Sequence, residues 1–443
     1  MSLSIHLNLF IHGRGHHEAG WRHPGATRKA LTDISYFSDL AQRAEAGRFD
    51  SIFLADALEL ASGARHVASG ALEPLTALAA LARDTRHIGL IATASTTYTE
   101  PYNLARQFAS LDHISGGRIG WNIVTSWVGG AAPNFGYQNA PEHAERYARA
   151  HEFVDVVTAL WDSWADDAIL DESASGRFLD ASRVRRIAHE GPHYRVAGPL
   201  NLPRPPQGHP VLVQAGSSES GKAFAARHAE AVFTAHLTKE SAIAFYAELK
   251  RAAADLGRRT DQLIVLPGLS AAIGSTDAEG VALLDELNEL TDIDVGLSRL
   301  SDRFGGHDFS ALPLDQPLSR DDFPDPSAVQ AAQSRAIAIT ELVSRERPTL
   351  RNLLRRLAGA RGHFTLGGSP ERIADTIEDW VEHRAADGFN VMPPVLPDQL
   401  DRFVDQVVPI LQRRGLFRRE YDGTTLRDHY RLTRPANPHF PNR

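Results

Sequence analysis

Ser217 and Ser218 close the run VLVQAGSS (211–218), which reads as a strand feeding a helix at Glu219. Two hydroxyls beside the unpaired N–H groups of a helix start make an anion cradle suited to a phosphate. The same pair also fits an ordinary helix cap. What favours the cradle is position, because in barrel enzymes a phosphate site tends to lie near late strands, at their C-terminal ends. Asp56 follows the apolar strand Ser51–Leu54, at a strand end where packing rarely needs a carboxylate, although it can also cap the loop. His143 and Tyr147 stand four apart on one face of the helix opened by Pro141, where they can meet a ligand or simply pack. Asn122, Thr125 and Ser126 place small hydrogen-bonding groups at the far end of another strand.

The first loop holds His12, His16 and His17, which invites a metal reading. Only Glu18 offers a nearby carboxylate at any useful spacing, so no metal is assigned. His16 as a proton donor at the mouth of the fold is the sharper idea, with a structural histidine in a lid as its rival. Trp121, Trp127, Trp161 and Trp164 read as core. There is no Walker-type loop, and the GRG at Gly13–Gly15 lacks both a third glycine and a following helix. A Rossmann-type NAD site is therefore not expected.

The elements that must position these residues alternate regularly. Strands are predicted at 5–12, 51–54, 87–95, 119–126, from 211, at 231–235, 263–273 and 389–392, with helices between them. The glycine pair Gly116-Gly117 stops the helix before the fourth strand. Eight such units match an α/β (β/α)8 TIM barrel better than a doubly wound sheet. The chain is read as a single domain over 1–443 with large insertions at about 165–209 and 277–368, which are expected to cover the site, and a polar tail, 414–443, expected to wrap the surface.

With 47 basic and 55 acidic residues the net charge is −8, which gives no basic field for nucleic acid. The apolar run Ile5–Ile11 is too short to span a membrane and lacks a basic leader, so neither a signal peptide nor a membrane anchor is expected. The chain has no cysteine, which excludes disulfides, thiolate metal sites and a cysteine nucleophile, and a cytoplasmic location is expected.

Several stretches taken together resemble the bacterial luciferase-like, two-component flavin monooxygenases, in the branch acting on nitrilotriacetate, EDTA, dibenzothiophene sulfone and long-chain alkanes. They are GWRHP at Gly20, FLAD at Phe53, STTYTEPY at Ser95, SLDHISGGRIGWNIVTS at Ser110, NFG at Asn134, EHAERY at Glu142, LNLPRPPQGHPVLVQAGSS at Leu200, ADGFNVMP at Ala386 and VVPILQRRGLFRREYDGTTLR at Val407. The resemblance implies a barrel that takes reduced FMN as cosubstrate, reacts it with O2 to a C4a-(hydro)peroxyflavin and oxygenates a small organic substrate. A separate NAD(P)H-dependent flavin reductase is the implied partner, and a homodimer or homotetramer the implied assembly. By motif, Asp56 is placed beside the isoalloxazine and Thr93 as a ring contact. His143, Tyr147, Ser217 and Ser218 become ribityl and phosphate ligands, and His16 the group near the peroxide, with His17 its alternative.

Two other readings stay in view: a deazaflavin-dependent oxidoreductase of the same superfamily, and a non-enzymatic flavin-binding protein. The GWNIVTS and EHAERY stretches favour the monooxygenase over the first, and the long insertions favour it over the second. For the substrate, Arg14, Arg22 and Arg65 are candidate anion contacts, and surface arginines are their commoner alternative.

Overall fold

The computed structural model describes residues 4–60, 64, 67–126, 129–326, 333–360 and 362–440, so Arg65 and Trp127 lie outside the described residues. Eight parallel strands form the barrel: β1 (His6–Ile11), β2 (Ser51–Leu54), β3 (Gly89–Ser95), β4 (Ile119–Val124), β5 (Val211–Gln214), β6 (Ala231–Thr234), β7 (Ile264–Ile273) and β8 (Gly388–Val391). The ring closes because β8 pairs with β1, with Val391 opposite Leu9, and β6 pairs with β7, with Val232 opposite Val265. This is the TIM-barrel architecture expected from the strand and helix alternation.

Helices α1 (Ile34–Ala46), α2 (Pro74–Asp84), α3 (Pro101–Ser115), α4 (His143–Trp161), α5 (Glu219–His228) and α6 (Lys239–Asp255) follow the first six strands. Their ends obey local chemistry. Asp33 caps α1 by accepting the Ser35 N–H, and α3 stops where Gly116 turns left-handed at φ 70°. Neighbouring residues along each strand then face opposite ways. Leu9, Ile52 and Leu90 join the layer under the helices, whereas Phe10, Phe53 and Ile91 join the cluster inside the barrel.

The floor of the barrel departs from expectation. Leu426 and Tyr430, in the tail that was expected to wrap the surface, are almost wholly buried. The Tyr430 hydroxyl donates to Asn8 Oδ1 at 2.9 Å, and a Cβ on Gly89 would come within 2.4 Å of Leu426. The tail reads as polar because its charges are spent internally, with Arg427 pairing to Glu230 at 2.6 Å.

After β7 the chain builds α7 (Asp277–Glu289), α8 (Ile293–Arg303), α9 (Gln333–Glu346) and α10 (Leu350–Ala360), then a further strand, Phe364–Gly368, before α11 (Pro370–Glu382). That strand was not foreseen. It pairs with the outer half of β7, Leu269 to Ile273, beyond the barrel wall, and its two glycines and partial exposure leave little strand signal. The glycines serve packing: a Cβ on Gly280 of α7 would lie 2.2 Å from the Gly368 nitrogen.

The two long excursions sit at opposite ends of the barrel. A segment that follows a strand emerges at the mouth, and one that follows a helix emerges at the floor. Residues 165–209 follow α4 and form two short hairpins, tied back by Arg204 and His209, each 2.8 Å from Asp162. Residues 277–368 follow β7 and stand over the mouth.

Candidate active site

A cavity of about 570 Å³ opens at the C-terminal ends of the strands. Asp56, Thr93, His143, Tyr147, Ser217 and Ser218 all border it, from four separate strand-to-helix units. Its cover comes from α8, α9 and residues near Gly362, and no described residue of 165–209 reaches it. The expectation that both insertions would cover the site is therefore corrected: only the one that follows a strand does.

One wall is a hydrogen-bonded relay. Thr93 Oγ1 donates to the Leu54 carbonyl at 2.9 Å, so it can only accept from Asn122, whose Nδ2 stands 2.9 Å away. That fixes the Asn122 amide, and its Oδ1 is buried in the wall with no partner. Gln214 Oε1, at the end of β5, is a second buried acceptor without a partner. Buried acceptors are costly to leave unmet, and these two belong to the polar part of the cavity wall.

The adjoining side is cationic and rich in donors. Ser218 caps α5 by accepting the Gly221 N–H at 3.1 Å, which leaves the other first-turn N–H groups available to an anion. Gly216 brings the backbone close, since a Cβ there would strike Gln214 Nε2 at 2.3 Å. The rings of His143 and Tyr147 lie 4.9 Å apart on α4. Burial and the nearby Arg146 both lower the His143 pKa, which keeps the imidazole neutral at neutral pH. Arg146 itself escaped the sequence reading. It is buried against the cavity, its Nη1 donates to the Pro141 carbonyl at 2.7 Å, and its Nε has no partner. The signal was present, because Arg146 is three residues after His143 and so shares its helix face.

The floor of the cavity is apolar. Phe10 packs 4.6 Å from Phe53 and 5.4 Å from Phe233, and His363 stacks on Phe233 at 4.9 Å. Asp56 sits at the exposed rim and accepts the Ala57 N–H at 2.9 Å; the surrounding protein and the Glu73 carboxylate raise its pKa.

His16 is not among these residues. It is buried behind Phe10, whose carbonyl accepts from His16 Nε2 at 2.8 Å, and it borders a separate small cavity with His12, Arg14, His17 and Glu18. His17 lies there too, and its Nε2 is 3.2 Å from Asn288 Oδ1. Arg14 and Arg22 also stay clear of the large cavity, bonding the Lys29 and Leu290 carbonyls respectively. Among the described residues, the arginines that do reach it are Arg146, Arg303 and Arg335.

A barrel with a lidded, half-apolar chamber at its strand ends defines an enzyme of the TIM-barrel class. Residues 10–387 match the model of the luciferase-like monooxygenases, and the chain belongs to that family. It is 48% identical over 433 residues to N-acetyl-S-(2-succino)cysteine monooxygenase of Bacillus subtilis, covering 98% of each chain. It is 46% identical to nitrilotriacetate monooxygenase component A of Aminobacter aminovorans, covering 98% of this chain and 97% of that one. Among solved structures, a riboflavin lyase with modified FMN and riboflavin superposes with a TM-score of 0.85 at 30% identity, covering 96% of this chain and 95% of that one.

Proposed function

We propose that this monooxygenase takes up reduced FMN made by a separate NAD(P)H-dependent flavin reductase and uses O2 to oxygenate a small organic substrate. The observation that carries this reading is one cavity bordered both by the polar strand-end residues Thr93, Asn122 and Gln214 and by an anion-binding helix start at Ser217 and Ser218. An isoalloxazine with a phosphorylated ribityl tail fits both sides. Ser217, Ser218 and Arg146 would hold the phosphate, His143 and Tyr147 the tail, and Asn122 and Gln214 the N–H edge of the ring. Thr93 orients Asn122, Asp56 stands beside the ring at the rim, and His16 holds Phe10 in place.

FMN, when bound, supplies the electrons and activates the oxygen. The chain binds and orients it, and the Phe10, Phe53 and Phe233 floor with the α8 and α9 cover keeps bulk water from the reacting atoms. Two further observations support the partner reading. The relative called component A names a system of more than one component, and this chain shows no reductase motif of its own. A homodimer or homotetramer accords with the exposed apolar Phe178 and Leu179 on the floor-side hairpin.

The test supplies an added flavin reductase, NADH, FMN and 18O2 to the purified protein with a panel of amines, thioethers and organic acids. One labelled oxygen in an organic product is expected. NADH consumption that yields only hydrogen peroxide across the panel counts against the reading.

A further inference from the structure

The cover of the cavity carries two cations that have no hydrogen-bond or ion-pair partner among the described residues. Arg303, the last residue of α8, is 8% exposed, and Arg335 stands in the first turn of α9; both line the chamber. Neither makes a hydrogen bond or an ion pair among the described residues. Glu18 and Asp302 act on Arg303 only at longer range, and the Glu18 carboxylate is already held by Arg299. Burial and the like charge of Arg335 push the Arg303 pKa down to about 10, so it stays cationic at neutral pH.

A desolvated charge without a partner is costly to the free protein, and a binding site is where such a cost is recovered. Guanidinium forks match carboxylates through paired N–H donors. The phosphate of the proposed flavin has its own place at the start of α5, so the anion that meets the cover belongs to the substrate. Each of the two guanidinium forks can pair with its own carboxylate. We propose that Arg303 and Arg335 anchor the substrate by its carboxylates, so that this chain acts on small organic acids with at least two carboxyl groups. The proposal rests on the reading of the cavity as the flavin and substrate chamber.

The test uses the flavin-free full-length protein, calorimetric titration with tricarballylate, succinate and their methyl esters, and the variants Arg303→Gln and Arg335→Gln. The wild type is expected to bind the acids and not the esters. Each variant should lose about 100-fold in affinity for the acids, bind FMN as the wild type does, and melt no lower than the wild type, because an unpaired buried charge has gone. Esters binding as well as acids, acids failing to bind, or variants that keep acid binding would overturn the proposal. So would variants that lose FMN, which would assign the arginines to the flavin phosphate, and variants that melt lower, which would make them structural. Failure of the wild type to bind FMN would instead sink the flavin reading, and the acid titration would still decide the role of the arginines.

Discussion

Asn122 Nδ2 donates to Thr93 Oγ1 across 2.9 Å, and that single contact fixes the asparagine amide in the cavity wall, its carbonyl oxygen buried without a partner. The hydroxyl of Thr93 is thereby spent inside the wall. Thr93 positions another group and has no hydrogen to offer a ligand.

The relay predicts that Thr93→Val weakens FMN binding while Thr93→Ser does not. Valine leaves the Leu54 carbonyl and the Asn122 amide unmet, at a cost of about 1–3 kcal/mol in stability, and lets the amide turn. Thermal melts and FMN fluorescence titration of both variants read the two effects. A valine variant that melts and binds like the wild type would show that the relay orients nothing.

Arg146 is expected to separate FMN from riboflavin. It borders the cavity with Ser217 and Ser218, so Arg146→Gln should lower FMN affinity by about 1.5–3 kcal/mol, the range for a hydrogen bond to a charged group. Riboflavin lacks the phosphate, and its affinity should be unchanged. Equal losses for both ligands would place Arg146 away from the phosphate.

Buried histidines make the fold sensitive to acid. Burial lowers His17 to about 4 against its hydrogen bond with Asn288, and burial lowers His236 to about 4. The unfolded chain titrates near 6.5, so it binds more protons than the folded chain between those values. The stabilisation is full above pH 6.5 and is lost as pH falls toward 4, by roughly 2 kcal/mol for each histidine at pH 5. Urea unfolding at pH 7 and pH 5 measures it, and His17→Gln should shrink the difference by roughly 2 kcal/mol, the share of one histidine. A stability that does not fall between these pH values would contradict the burial of neutral imidazoles.

The tail seals the barrel floor. Leu426→Ala should cost about 2–5 kcal/mol, because the side chain fills the space over Gly89 and Gly120 and leaves a cavity behind. A destabilisation well below 1 kcal/mol on chemical unfolding would mean that the tail merely lies on the surface.

The barrel was legible in the sequence because its strands are continuous apolar runs between well-capped helices, and capping is local chemistry that needs no tertiary context. Phe364–Gly368 was not legible, because it owes its place to the outer half of β7 and to the close approach of Gly280. Charged residues buried in pairs, such as Arg427 with Glu230, look like surface until their partners are known. Most of the proposed site was legible from strand ends and from the family resemblance. Arg146 could have been found by extending the helix-face argument from four residues to three. Arg303 and Arg335 could not, since nothing in a helical stretch of a long insertion tells which face turns toward the barrel. Whether an insertion covers the mouth was legible in principle, from whether it follows a strand or a helix.

One chamber at the strand ends is proposed to hold FMN, with its phosphate at the start of α5. A crystal structure grown with FMN tests it directly. The account predicts the phosphate beside Ser217, Ser218 and Arg146, and the isoalloxazine against Asn122 and Gln214 with Asp56 at its edge. Flavin density elsewhere on the barrel, or a phosphate turned toward Arg303 and Arg335, would contradict it.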